Sequence, residues 1–142
     1  MNLHENKKLF TDAVLAAAEQ LDIKAVYIEK DYWITRSLKL MAQDSNAERA
    51  IFKGGTSLSK AYKIGNRFSE DIDVAISDAN SLSGNQLKML IKRIAKEMTV
   101  GLDEFVVQGV TSKGSRYYKA MYAYPNIPVS YTHLTLPTTS RV

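Results

Sequence analysis

Between Asp71 and Ile76 the chain alternates without a break, with Ile72, Val74 and Ile76 apolar and Asp71, Asp73 and Ala75 between them. A side-chain period of two belongs to an extended strand. One face of this segment must therefore be covered, and the other presents two carboxylates. Other segments carry the period of a helix. From Lys7 to Leu21, Phe10, Val14, Ala17 and Leu21 recur at three- and four-residue steps, and Asp22 breaks the pattern. A second helix is predicted from about Ala25 to Ala42, with Ile34, Leu38 and Met41 on one stripe and Trp33, Ser37 and Leu40 beside it. Such width implies burial on more than one side. A third helix runs from Gln86 to Met98, with Leu87, Leu90, Ile91 and Ile94 inward. Ala50 to Phe52 reads as a short strand entering a double glycine, after the polar turn Asp44 to Arg49. Thr56 to Tyr62 reads as a short helix, Lys63 to Ser69 as a loop, and Glu104–Val110 and Arg116–Tyr124 as further strands. The predicted class is α+β, a mixed sheet flanked by helices.

With 142 residues and 45% apolar content, the chain suffices for one packed core and is too short for two ordinary domains. It has no cysteine. Disulfides and thiolate metal sites are excluded, so a bound metal must take oxygen or imidazole ligands, which favours magnesium or manganese. The start, Met1 to Lys8, is polar, and no later run approaches the length of a membrane span. A cytoplasmic protein without membrane contact is expected. The net charge of +4 suits a polyanionic partner without requiring one. Lys88, Lys92, Arg93 and Lys96 share much of one helix face, which is equally what a solvated face looks like.

Two elements carry the chemistry. In Phe52-Lys53-Gly54-Gly55-Thr56-Ser57-Leu58-Ser59-Lys60, two glycines between a strand and a helix let the backbone approach a phosphate closely. The helix start offers N–H donors to the same anion, Thr56 and Ser57 add hydroxyls, and Lys53 or Lys60 supplies a point charge. A double glycine before a helix is also what a plain tight turn requires. In Ser69-Glu70-Asp71-Ile72-Asp73, the two-residue spacing sets Asp71 and Asp73 side by side. Adjacent carboxylates repel, so the pair is costly unless a cation sits between them, and magnesium fits because it takes oxygen ligands and bridges triphosphate oxygens. The alternative is an edge strand whose acids deter pairing with other chains.

Together, a phosphate cradle and a carboxylate strand joined by one short helix resemble the nucleotidyltransferase superfamily that includes DNA polymerase beta. The closer resemblance is to the AbiEii/AbiGii family, toxin partners of abortive-infection and toxin–antitoxin systems. It rests on Phe52 to Leu58 followed by Arg67-Phe68-Ser69-Glu70-Asp71-Ile72-Asp73, with Ile28-Glu29-Lys30-Asp31-Tyr32-Trp33-Ile34 upstream. The resemblance implies a nucleotidyltransferase-like sheet and the transfer of a nucleotide from a nucleoside triphosphate (NTP) to an acceptor hydroxyl, with tRNA or other RNA as acceptor. It also implies a cognate antitoxin and a role in phage defence. Gly54, Gly55, Thr56 and Ser57 would hold the triphosphate, with Lys60 and Arg67 as further nucleotide-binding groups. Asp71 and Asp73 would be the catalytic pair that holds Mg2+ or Mn2+. Arg67 is also readable as a surface residue. Tyr32 and Trp33 read as core, with base stacking as the alternative, and Lys30 and Asp31 match the family without a derivable role.

Val129 to Thr138 repeats what a sequencing-library transposon adapter encodes in one reading frame. Residues 1–128 are therefore expected to be the front of a nucleotidyltransferase domain, and 129–142 to be adapter-encoded and outside any functional claim. The superfamily adds a third carboxylate on a later strand, yet no Asp or Glu follows Glu104. The fold is thus expected to be truncated at the C-terminus and the chain as it stands inactive. The alternatives are a nucleotidyltransferase acting on a small molecule or protein, and a nucleotide-binding module without turnover.

Overall fold

The computed structural model describes residues 2–54, 71–114, 117–127 and 135–141, with Tyr117 and residues 135–141 as backbone. The helix predicted at Thr56–Tyr62 and the loop at Lys63–Ser69 lie outside them. Helix α1 spans Lys7–Leu21, as its periodicity requires. Asn6 caps it by accepting a hydrogen bond from the Leu9 amide at 3.1 Å. It stops where Asp22 turns left-handed, φ 52°, a conformation that aspartate tolerates better than most residues. Helix α2 spans Ala25–Gln43. Its buried residues are Glu29, Lys30, Trp33, Ile34, Ser37 and Met41. The inner stripe is thus turned towards Glu29 and Lys30, and Leu38 and Leu40 are only half-buried. Helix α3 spans Gly84–Met98, two residues longer at its start than its apolar stripe shows. The extension comes from a reciprocal cap, in which the Gln86 amide donates to Ser83 Oγ and the Ser83 amide to Gln86 Oε1.

Six strands form one sheet: β1 Ala50–Lys53, β2 Ile72–Ile76, β3 Asp103–Phe105, β4 Ser112–Lys113, β5 Tyr117–Ala123 and β6 Thr135–Arg141. Their order is β1-β2-β6-β5-β3, with β4 also on β5. The β2/β6 pair is parallel and the others antiparallel, so the sheet is mixed and the class is α+β as predicted. The strand predicted over Glu104–Val110 is cut short. The amides of Val110 and Thr111 both turn back to the Val107 carbonyl, at 3.0 and 2.9 Å, and Gly109 has φ +80°. That turn withdraws the donors a continued strand would need. Strand β6 falls within the segment read as adapter-encoded. Its pairing uses backbone donors and acceptors alone, and it fills the slot between the inner edges of β2 and β5.

The core lies between the helices and one face of the sheet. Phe10, Val14, Trp33, Ile34 and Met41 from α1 and α2, with Leu87, Leu90, Ile91 and Ile94 from α3, meet Ile72, Val74 and Ile76 of β2. Tyr118, Ala120 and Tyr122 of β5 join the same cluster. Burial along β2 alternates as the sequence does, leaving Asp73 half-buried and Asp71 exposed.

Candidate active site

Antiparallel pairing sets Lys53 of β1 opposite Asp73 of β2, so Gly54 leaves the sheet beside the start of β2. Gly54 has φ +82°, and a Cβ built on it would lie 2.6 Å from Asp73 Oδ2. The Asp73 carboxylate thus rests against the Gly54 backbone, in space that only glycine leaves open. Alternation along β2 directs Asp73 away from the helical layer that covers Ile72 and Val74. Asp71 precedes the strand at the same end of the sheet and is exposed. The structure therefore brings Gly54, Lys53 and Asp73 together with Asp71 next along the chain. Gly55, Thr56, Ser57, Lys60 and Arg67 lie outside the described residues.

Asp71 and Asp73 offer only oxygen donors, which suits a hard divalent cation that keeps several waters. Among the described residues no three carboxylate or imidazole side chains converge. In the parallel β2/β6 pairing the residue in register with Asp73 is Thr139. A side chain at that position is the nearest cross-strand neighbour of Asp73 on the same face.

Periodicity alone missed a second cluster. Glu29, fully buried, accepts a hydrogen bond from the Ile127 amide at 2.8 Å. The Trp33 ring stacks on Tyr124 with centroids 5.8 Å apart. Burial first, and then the Glu29 charge, hold the Tyr124 phenol proton far above the usual tyrosine range. The signal was present in the sequence, since Glu29 and Lys30 lie three and four residues before Trp33 and Ile34, on the stripe that faces the core. Tyr32, half-buried, and Trp33 are core residues as predicted. Beside them a cavity of about 170 Å³ is lined by His4, Lys7, Phe10, Trp33, Pro125, Asn126 and Ile127. On the far side, Lys92, Arg93 and Lys96 are exposed and Lys88 is half-buried.

A mixed sheet whose carboxylate strand runs beside a positive-φ glycine defines an α+β protein with one acidic site at a sheet end. The family model for the nucleotidyl transferase AbiEii toxin of type IV toxin–antitoxin systems matches residues 36–141, and the chain belongs to that family. No curated protein matches it. No helix among the described residues is long and apolar enough to cross a membrane.

Proposed function

We propose that Asp71 and Asp73 are the metal-binding catalytic pair of a cytoplasmic, toxin-type nucleotidyltransferase that moves a nucleotide from an NTP to a hydroxyl on tRNA. The observation that carries this reading is the contact of the Asp73 carboxylate with the Gly54 backbone, which sets a phosphate cradle directly beside a metal ligand. Gly54 and Gly55 admit the triphosphate to the backbone, and Thr56 and Ser57 donate hydroxyl hydrogen bonds to it. Lys60 and Arg67 neutralise its charge. Asp71 and Asp73 hold Mg2+ or Mn2+, which when bound neutralises charge on the transferred phosphoryl. Residues 129–142 are read as adapter-encoded, so the activity belongs to the product of the restored reading frame. A third carboxylate supplied by that frame in the β6 slot, in register with Asp73, completes the ligand set. A cognate antitoxin and a role in phage defence follow from the family.

The restored protein, incubated with magnesium, labelled NTPs and total RNA, is expected to place label on tRNA. Label on protein or on small molecules instead would replace the RNA acceptor while keeping the chemistry. Nucleotide binding without any transfer would reduce the protein to a binding module.

A further inference from the structure

Lys30 is only 7% exposed and sits on the inner stripe of α2, one turn before Trp33 and Ile34. Among the described residues it meets no carboxylate and donates no hydrogen bond. Its sequence neighbour Glu29 is directed to the Ile127 amide, and consecutive helical positions do not face each other. A lysine taken out of water without an anion is costly to a fold, so the position calls for one.

Strand register shows which anion comes within reach. Lys53 pairs with Asp73, Ile72 with Thr138, and Thr138 with Ala120. Strand β5 continues past that row to Ala123, and Tyr124 to Ile127 leave from the same end of the sheet as Gly54 and Asp71. Trp33 stacks on Tyr124 and Glu29 holds Ile127, so the first turns of α2 overhang that end. Asp73 faces away from the helices, so Lys30 reaches the sheet end from the side opposite the carboxylates.

We propose that Lys30 is a buried counter-charge for the polyphosphate tail of the nucleotide, its ammonium taking the terminal phosphates while Asp71 and Asp73 take the metal. This rests on the nucleotidyltransferase reading and adds to it a phosphate-binding residue outside the glycine cradle. The probe is inorganic tripolyphosphate, titrated into the chain and followed through Trp33, its only tryptophan. Lys30→Met, which keeps the length of the side chain and removes its charge, is expected to weaken binding about tenfold or more without lowering the thermal unfolding midpoint. Unchanged affinity in Lys30→Met, or a lowered midpoint with affinity intact, overturns the proposal. If Lys30→Met does not fold, Lys30→Gln is measured in the same way. Metal-dependent NTP binding that is lost in Asp73→Asn but intact in Lys30→Met would leave the functional reading standing and remove this one. Wild-type protein that binds neither tripolyphosphate nor NTP removes both.

Discussion

Gly54 and Asp73 constrain each other. A side chain at position 54 would meet Asp73 Oδ2 at 2.6 Å while the backbone is held at φ +82°. Gly109, at φ +80°, has nothing within 4 Å of its virtual Cβ. Gly109→Ala therefore isolates the backbone strain, expected to be about 1 kcal/mol, whereas Gly54→Ala adds displacement of the carboxylate and is expected to lose about 2 kcal/mol or more. Chemical denaturation of the two variants measures the difference, and only Gly54→Ala should also weaken binding of the metal–nucleotide complex. His4 offers a residue-scale test of the packing around Trp33. Burial, then the Arg36 charge, hold its pKa below the ordinary histidine value, against a smaller opposing pull from Glu5. Its Nδ1 lies 2.8 Å from the Tyr32 hydroxyl, and its ring centroid 4.8 Å from that of Trp33. A depressed folded-state pKa gives stabilisation that is complete above the unfolded value of about 6.5 and is lost as the pH falls through the folded value. Trp33 fluorescence is expected to change below about pH 6.5 in the wild type and to stay flat in His4→Gln. Residues whose role is local, such as Gly54 and the Asp71/Asp73 pair, were legible in the sequence. The burial of Glu29 was not, because its partner is a backbone amide 98 residues away.

At the scale of elements, α1 and β2 follow from period alone, since one apolar face sets both the type of each element and its orientation. Where prediction and structure part, a local hydrogen bond decides. Helix α3 begins at Gly84 because Ser83 and Gln86 cap it reciprocally. Ser83→Ala is expected to lower stability by about 1 kcal/mol, and Ser83→Asp by less, as read from thermal melts. Equal losses in the two variants would show that the cap carries no weight. The shortened β3 has the same kind of cause, a turn at Val107 to Thr111 that a pattern of alternating apolar residues does not register. The basic residues on α3 line an exposed face, and their spacing alone was as consistent with solvation as with contact to a polyanion.

For the whole molecule, one end of the sheet gathers the acidic strand, the glycine after β1 and the buried Glu29 and Lys30 of α2. Only the first two were readable as a site, because they are close in sequence and share a recognisable layout. The contribution of α2 needed the strand register, which joins residues far apart in the chain. The central claim is that Asp73, resting on Gly54, is a metal ligand of a nucleotidyltransferase. Its most direct test is NTP-dependent labelling of RNA by the restored protein and by its Asp73→Asn variant, with the unfolding midpoints of both measured alongside. Loss of labelling by at least about a hundredfold with the midpoint retained is the expected result, and wild-type labelling by Asp73→Asn would contradict the account.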